Sequence, residues 1–398
     1  MLELASLAAL RTDEGLACQA EAMRLRPTPI TFLLLSQKLS RVYPERLGRL
    51  ALEQAMLRQR AAAKFKHAER MYFTRQGLEQ ATPGAVAEHR ARRYQAVERV
   101  FDLCCGIGGD ALALAEHRSV FAVDHDLLSV ALLEANARAV GRDGWIRPVV
   151  GDVTCLPWRF GVGDAAFFDP ARREATRRIR QPERYLPPLS TLRIWVDHLA
   201  GLGVKVSPAI DRDELAGYEC EVEFVSLEGD LKEATLWFGA LKTSPVRATV
   251  LPGGHTLAEP PLRLGRVSPP QAYLYEPDPA VMRAGLVGNL AERLGAAQLD
   301  PTLAYLTCSS LQPTPFARAF QVIDHMPFSR KRLQAALKAL GAGEVVLMKR
   351  GSPVDTEALS RRLRLSGDRS LTVVLTRVSG TPTALIVLPV AAFQPLGD

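Results

Sequence analysis

One short stretch of this chain constrains its fold more than any other. Residues 99–103 form a largely apolar run typical of a buried strand, residues 106–109 contain three glycines, and a helical pattern begins directly after them. A strand that passes through a glycine turn into a helix leaves free backbone N–H groups at the helix N-terminus. These groups can meet an anionic part of a ligand, and glycine allows the close approach that a Cβ would block. The stretch therefore predicts a ligand-binding turn.

The pattern around this turn predicts the fold class. Short apolar runs alternate with helical stretches over residues 99–206, which is typical of βαβ units and a parallel sheet. Residues 220–239 then predict an antiparallel hairpin at the edge of that sheet, and residues 189–201 predict a helix. Residues 1–98 have helical periodicity. Residues 251–270 are rich in Pro and Gly and predict a linker, and the strand and helix order beyond them is the ferredoxin-like βαββαβ.

Two ligands fit such a glycine turn. In a dinucleotide site, Gly106, Gly108 and Ala111 would hold the pyrophosphate, and Asp124 would bind the ribose. Asp102 lies four residues before Gly106, however, where an acid would repel a pyrophosphate. An acid there suits a ligand that carries an ammonium group, such as S-adenosylmethionine. The sequence therefore favours the methyl donor over a dinucleotide.

The acids after the next strands agree with this interpretation. Asp124 ends the second strand and can accept hydrogen bonds from both ribose hydroxyls, while Asp152 and Val153 follow the third strand where an adenine amino group would lie. Asp169 and Pro170 follow the fourth strand, where the transferred methyl group would emerge. Four elements in this order predict S-adenosylmethionine as the cofactor.

These residues resemble the class I S-adenosylmethionine-dependent methyltransferases. The run DLCCGIGGD is similar to the glycine turn of trimethylguanosine synthase, and residues 82–89 are similar to the helix that precedes it there. The runs FFDPARR, YLYEPDPAVMRAGLV and MKRGSPVDTEALSRRLRL resemble bacterial methyltransferases with a C-terminal THUMP-like domain. The resemblance implies a helical N-terminal domain over residues 1–98 and a Rossmann-like methyltransferase domain over 99–245. It also implies a ferredoxin-like and THUMP-like α+β domain over 246–398, with RNA (tRNA or rRNA) as the partner.

The candidate site residues follow from the motifs and from the resemblance. Asp169 would orient the acceptor, Pro170 would stiffen the chain beside it, and Arg172 would contact substrate phosphate or simply begin a solvated helix. Gln80 and Thr82 would close over the donor or only cap a helix. Cys104 and Cys105 would line the donor pocket rather than form a redox pair. The expected donor-binding residues are Gln80, Thr82, Asp102, Cys104, Cys105, Gly106, Gly108, Gly109, Asp110, Asp124, His125, Asp152 and Val153.

The acceptor motif departs from two known patterns. Amino-group methylases carry Asp-Pro-Pro and an aromatic residue, whereas this chain has Asp169-Pro170-Ala171, so purine N-methylation is not favoured. Uracil C5 methylases need a cysteine nucleophile after the next strand, where this chain has Val206-Ser207. The acceptor atom is therefore left open. The alternatives to RNA methylation are a nucleic-acid-binding module that holds the donor without transfer, and methylation of a protein or small molecule.

Charge and composition bear on the partner and the compartment. The net charge is +7 and the pI about 9.2, and residues 330–369 carry ten basic residues against four acids. Residues 211–233 carry nine acids against two bases, so we expect one face for an anion and another for solvent or a neighbouring domain. The Cys and His spacings predict no metal site, and no apolar run is long enough to span a membrane. These features predict a cytoplasmic protein; they leave its oligomeric state open.

Overall fold

The computed structural model of the protein contains two compact units. One comprises Met1–Glu221 with Glu233–Thr243, and the other comprises Val222–Lys232 with Ser244–Asp398. The structure describes residues 2–390 apart from 117, 157, 175, 176, 180, 212 and 264, without the side chains of 173, 174, 177 and 178.

The first unit begins with helices, as the periodicity predicts. The long helix α4 buries an apolar stripe against α1, α2 and α3, and it starts directly after Pro44, which cannot continue a preceding helix. Two buried polar side chains of α4 also order the chain beyond it: Gln54 makes two hydrogen bonds to the backbone of Phe73, and Arg58 donates to the carbonyl of Met71. The helices are α1 Leu4–Leu10, α2 Asp13–Leu25, α3 Phe32–Leu39, α4 Glu45–Ala61, α5 Arg75–Gln80 and α6 Gly84–Arg92.

A mostly parallel sheet follows. The strands of the sheet are β1 Arg99–Leu103, β2 Ser119–Asp124, β3 Ile146–Val150, β4 Ala165–Phe168, β7 Gly201–Val206, β8 Glu221–Leu227 and β9 Asp230–Gly239, and the helices between them are α7 Gly109–Leu114 and α8 Leu127–Ala139. The short strands β5 Arg173–Glu174 and β6 Arg177–Arg178 pair only with each other as a separate antiparallel ribbon within the described residues. In the first unit the order is β3-β2-β1-β4-β7, all parallel, with β9 antiparallel beside β7. Parallel strands bring their carboxyl ends to one edge, so residues 104, 124 and 169 come together there.

Two local predictions are corrected by this unit. The predicted helix over residues 189–201 is instead two short 3₁₀ segments, Leu189–Ile194 and Val196–His198. The break falls at Trp195, whose backbone leaves the helical region (φ −120°) and whose buried ring packs edge-on against Phe168. The burial of this ring against the sheet outweighs the continuation of the helix.

The acidic stretch over residues 211–233 is not a solvated face throughout. Glu221, Glu223 and Glu233 are all at most 2% exposed, because each lies in a strand of a buried sheet. Glu221 accepts from Arg93, Glu223 from the hydroxyl of Thr249, and Glu233 from a guanidinium of α6. These carboxylates bind internal partners and are not available to solvent.

The second unit contains two groups of strands. Strand β8 pairs in parallel with β10, which pairs antiparallel with β11, so a short strand interrupts the predicted linker. The rest forms a seven-stranded sheet in the order β13-β14-β12-β15-β18-β17-β16. The bounds are β10 Val246–Leu251, β11 His255–Leu257, β12 Tyr273–Pro277, α9 Pro279–Ala284, α10 Val287–Leu294, β13 Ala297–Gln298, β14 Leu306–Cys308, β15 Ala317–Pro327, α11 Arg330–Ala339, β16 Ala342–Lys349, α12 Thr356–Arg362, β17 Arg369–Val378 and β18 Thr381–Pro389.

The order of elements in this sheet is as predicted, but the ferredoxin-like pairing is not. Strand β12 lies between β14 and β15 and is antiparallel to both, and β16 reaches the far edge of the sheet beside β17. In a ferredoxin-like sheet β16 would pair with β12 and β14 with β15. Here β14 pairs with β12 instead, and β18 of the β17–β18 hairpin pairs with β15 over almost its whole length.

Candidate active site

A cavity of about 1270 Å³ opens at the carboxyl edge of the sheet in the first unit. Its wall is formed by the glycine turn, the ends of β2, β4 and β7, helix α5 and parts of α3 and α4. The structure brings twelve of the predicted site residues to this wall: Gln80, Thr82, Cys104, Cys105, Gly106, Gly109, Asp110, Asp124, His125, Asp169, Pro170 and Arg172. It does not bring Asp102, Gly108, Asp152 or Val153 there.

Gly106 and Gly108 have different structural roles in the turn. Gly106 has φ +53°, and a Cβ built on it would meet no atom within 4 Å, so its backbone borders open space. Gly108 has φ +92°, and a Cβ there would lie 2.8 Å from the side chain of Leu133 on α8. Gly108 is therefore required for packing, whereas Gly106 leaves the room that a ligand needs.

Asp124 closes the turn from the neighbouring strand. Its carboxylate accepts hydrogen bonds from the backbone N–H groups of Gly106 at 2.9 Å and Asp126 at 3.0 Å. The largely exposed ring of His125 places its Nδ1 3.3 Å from the same carboxylate. Because a carboxylate can accept about four hydrogen bonds, Asp124 can still accept bonds from a ligand. This geometry fits the predicted contact with ribose hydroxyls.

Asp102 lies behind the wall. It is fully buried, and neither carboxyl oxygen has a hydrogen-bond partner in the part of the chain that the structure describes. Burial raises the pKa of Asp102 well above its usual range, and the nearby carboxylates of Asp110 and Asp169 raise it further. Because burial disfavours the ionised form, Asp102 can carry its negative charge only when a positive charge lies near enough to compensate it, and a positively charged ligand at the glycine turn would supply that charge.

Asp110 and Thr82 connect the first turn of α7 with the chain that precedes α6. The hydroxyl of Thr82 donates to Asp110 Oδ2 at 3.0 Å, and Arg90 of α6 forms a short ion pair with the same carboxylate. The other arm of Arg90 reaches Glu233, and its guanidinium lies 4.1 Å from the ring centroid of Phe167. The structure therefore rules out the helix-cap interpretation of Thr82: α6 begins after Pro83 without a side-chain cap, because the hydroxyl is engaged in this network.

These groups shift one another's protonation. Burial raises the pKa of Asp110, and the charges of Arg90 and Lys205 oppose that rise. Burial works against the guanidinium of Arg90, but the carboxylates of Asp110 and Glu233 outweigh it and raise the pKa of Arg90. The guanidinium is therefore a permanent cation in the interior of this unit.

Lys205 is a site residue that the sequence interpretation missed. It lies in β7, lines the cavity, and its ammonium donates to Asp169 Oδ2 at 2.7 Å and to the hydroxyl of Thr82 at 2.8 Å. The signal in the sequence was a single charged residue in the otherwise apolar strand Gly201–Val206. A lysine at a buried strand position needs a partner, and here the partner is the predicted catalytic acid.

Asp169 and Arg172 lie side by side on the same wall. The side chain of Asp169 is 23% exposed, and its backbone N–H donates to the carbonyl of Leu103, which fixes it beside the glycine turn. Arg172 lines the same cavity two residues after Pro170, and its Nη1 atom is buried with no hydrogen-bond partner among the residues described. This corner therefore offers a free acceptor oxygen beside an unsatisfied donor.

The remaining predicted residues have other surroundings. Asp152 is exposed, and hydrogen bonds from the hydroxyl and N–H of Thr154 lower its pKa. Val153 is buried. Cys104 and Cys105 are free cysteines, and burial raises the pKa of both thiols, so they are protonated lining groups at neutral pH.

The N-terminal helices contribute directly to the cavity. Asn136 of α8 is fully buried; it accepts from the N–H of Tyr72 and donates to the carbonyls of Tyr72 and Ile107. Helix α5 lies against the turn so closely that a Cβ on Gly77 would come within 2.6 Å of Ile107. Two segments of the cavity wall that are far apart in sequence are therefore held together by one side chain.

Comparisons with known proteins agree with this geometry. Residues 97–180 match the family described as RNA cap guanine-N2 methyltransferase, residues 317–389 match a THUMP domain-like family, and residues 3–61 match a domain of unknown function. Two relatives from Mycobacterium tuberculosis strains CDC 1551 and H37Rv, each named an uncharacterized S-adenosylmethionine-dependent methyltransferase, are 36% identical over 347 residues. The matches cover 82% of this chain and 92% of each relative. The chain belongs to the S-adenosylmethionine-dependent methyltransferases.

The fold of this methyltransferase is shared with a solved structure from Porphyromonas gingivalis W83 that is described as a methyltransferase. The TM-score is 0.75 at 20% identity, over 94% of this chain and 98% of the other. This likeness confirms the predicted methyltransferase fold, the family match confirms the THUMP-like C-terminal region, and the relatives confirm S-adenosylmethionine as the cofactor. The cavity suits this cofactor, since an open glycine turn and an accepting carboxylate meet there, and the buried acid Asp102 lies behind its wall. Within the described residues, no helix could span a membrane and no cluster of His, Cys, Asp and Glu could hold a metal ion.

Proposed function

We propose that this methyltransferase transfers a methyl group to RNA, at the corner of the cavity formed by Asp169, Lys205 and Arg172. The observation that carries the proposal is the geometry of Asp169, which shares the cavity wall with the glycine turn. One of its oxygens is bound by Lys205, and the other has no hydrogen-bond partner among the described residues. That free oxygen can accept a hydrogen bond from the attacking group and aim its lone pair.

The chain's own residues divide the work. We expect Gly106 and the N-terminus of α7 to meet the donor's carboxylate, and Asp124 to accept from its ribose. The bound donor supplies a methyl group on a positively charged sulfur. Asp169 then orients the acceptor, while the unsatisfied Nη1 of Arg172 is free to bind an oxygen of the acceptor or of its phosphate.

RNA as the acceptor is supported by the second unit. Residues 317–389 match the THUMP domain-like family, and within residues 330–369 nine of the ten basic side chains are exposed. Arg350 is the exception, because it is half-buried and pairs with Glu276. Exposed guanidinium and ammonium groups suit the phosphates of a nucleic acid, and a small acceptor would need no such surface.

The test compares RNA nucleosides by mass spectrometry from cells with and without the gene. We expect one methylated nucleoside to disappear in the deletion and to return with the wild-type gene, but not with Asp169→Asn. Asp143→Asn is the matched control, because Asp143 is exposed and lies off the cavity wall. An unchanged RNA nucleoside profile, with methyl transfer to a protein or small molecule by the purified enzyme, would refute RNA as the acceptor.

A further inference from the structure

Lys205 is a buried cation with a second hydrogen-bond partner besides Asp169. The residue is 4% exposed, and its two chain neighbours in β7, Val204 and Val206, are also buried. Removing an ammonium group from water is costly unless it is paired and hydrogen-bonded. Both of its partners, Asp169 Oδ2 and Thr82 Oγ1, lie on the cavity wall. The fold therefore places a cation at the corner where transfer is proposed.

The hydrogen bonds of this corner run in one direction. A threonine hydroxyl has one proton, and Thr82 lies within hydrogen-bond distance of both Lys205 and the carboxylate of Asp110. The ammonium can only donate, so Thr82 accepts from Lys205 and gives its own proton to Asp110. Asp110 in turn is bound by Arg90. Lys205 is thus held by hydrogen bonds to two acceptors, Thr82 and Asp169.

The charges of the network do not balance. Burial raises the pKa of the neighbouring Asp102 and so disfavours its charge. Among the paired groups, Asp169, Asp110 and Glu233 face Lys205 and Arg90, which leaves one negative charge in excess. Without Lys205 the excess would double, and the added charge would lie on Asp169, at the point nearest the proposed position of the methyl group. A carboxylate in that position would attract the positively charged sulfur of the donor strongly in the ground state.

Such attraction would slow the reaction. During transfer the positive charge leaves the sulfur and moves to the acceptor, so a carboxylate near the sulfur stabilises the bound donor more than the transition state. Binding energy that favours the ground state does not accelerate the chemical step. A cation that neutralises Asp169 removes this penalty and leaves one carboxylate oxygen free to accept a hydrogen bond.

We propose that Lys205 is the positioning residue of the transfer corner: it holds Asp169 through Oδ2, leaves the other oxygen to the acceptor, and balances the affinities for S-adenosylmethionine and its neutral product. The inference rests on the proposed function only in placing the transferred methyl group beside Asp169. It makes Lys205 a determinant of the ratio between donor and product affinity, which can be measured without any RNA.

The test is calorimetric titration of S-adenosylmethionine and S-adenosylhomocysteine into the full-length protein. In Lys205→Met, which keeps the length and apolar stem of the side chain, we expect the donor-to-product affinity ratio to rise about three- to thirtyfold, since a charge several ångströms away is then uncompensated. In Asp169→Asn the ratio should fall by a similar factor, and the double variant should lie near the wild type. Lys242→Met, an exposed lysine of the same unit, should leave the ratio unchanged.

Two results of this titration would contradict the role of Lys205. Equal weakening of both ligands in Lys205→Met, or an unchanged ratio, would show a merely structural lysine and overturn the inference. If Lys205→Met does not fold, the titration of Asp169→Asn alone tests the inference. An ammonium of Lys205 without its carboxylate must then lower the donor-to-product affinity ratio, and an unchanged ratio would overturn the inference. This experiment measures the affinities for two small ligands and does not depend on RNA methylation. A shifted ratio in a protein that methylates no RNA would refute the proposed acceptor and leave the role of Lys205 standing.

Discussion

Replacement of Arg90 by methionine should destabilise the first unit strongly. Arg90 is 2% exposed, forms ion pairs with both Asp110 and Glu233, and stacks on Phe167. In Arg90→Met the two carboxylates stay buried without their cation, and among the described residues each keeps one hydroxyl donor, Thr82 for Asp110 and Thr235 for Glu233. Removal of one partner from a buried ion pair costs about 3–5 kcal/mol, and we expect a loss in the free energy of unfolding of that size at pH 7.

The loss should depend on pH, with a definite sign. Burial already raises the pKa of Asp110 in the native state, and without the guanidinium this pKa must rise further. A carboxyl whose pKa is higher in the folded state binds a proton more tightly there than in the unfolded chain, so stability falls as pH rises from the unfolded to the folded pKa. Arg90→Met should therefore be most destabilised at pH 7 and approach the wild type as the pH is lowered towards about 5.

The assay is urea unfolding followed by circular dichroism at pH 7 and pH 5. Arg92→Met is the matched control, because Arg92 lies on the same helix but is exposed, and it should change stability by less than about 0.5 kcal/mol. Neutralising both acids in Arg90→Met/Asp110→Asn/Glu233→Gln should recover most of the loss, since no buried charge is then left unpaired. A loss under about 1 kcal/mol, or one that is equal at both pH values and not recovered, would refute this reasoning.

Three further predictions concern the cofactor and RNA. Asp124→Ala should abolish S-adenosylmethionine binding in calorimetry, because it removes both the ribose acceptor and the clamp on Gly106; retention of wild-type affinity would contradict the assigned site. Gly106→Ala should lower the free energy of unfolding by about 1–2 kcal/mol, because alanine is strained at the positive φ of this position. It should also weaken donor binding at least tenfold, since the new Cβ enters open space that the donor needs. Arg361→Gln and Arg362→Gln should each lower the slope of log K for RNA against log salt by about 0.7–0.9 in filter binding if they contact phosphates, and an unchanged slope would place the RNA elsewhere.

The sequence was most informative where structure is local. Strand β1, the glycine turn and α7 are contiguous, and their chemistry can be recognised without knowledge of the rest of the fold. The ends of β2 and β4 could be added because the carboxyl ends of parallel strands meet at one edge. The fold and the cofactor predicted in this way are confirmed, and the roles of Asp124 and Asp169 stay predictions.

The hydrogen bonds and ion pairs behind the site could not be predicted from the sequence, for a physical reason. Thr82 and Lys205 are 123 residues apart, and Arg90 and Glu233 are 143 apart. Each pair depends on strand order and on the packing of α6, and neither can be read from a local pattern. The ferredoxin-like pairing failed similarly, because the hairpin of β17 and β18 takes the place beside β15 that the ferredoxin-like order gives to β14.

Asn136 has a consequence for any attempt to shorten this enzyme. The residues that match the methyltransferase family begin at residue 97, yet the amide of Asn136 ties the glycine turn to Tyr72, and Thr82 supplies a hydroxyl that Lys205 and Asp110 share. A fragment beginning at residue 97 would remove the bonds of Asn136 to Tyr72 and the bond of Lys205 to Thr82, and among the described residues it would leave each group one partner, Ile107 and Asp169 respectively. We therefore expect that the family-matching segment alone is not a minimal enzyme, because the helices that precede it supply part of the active site.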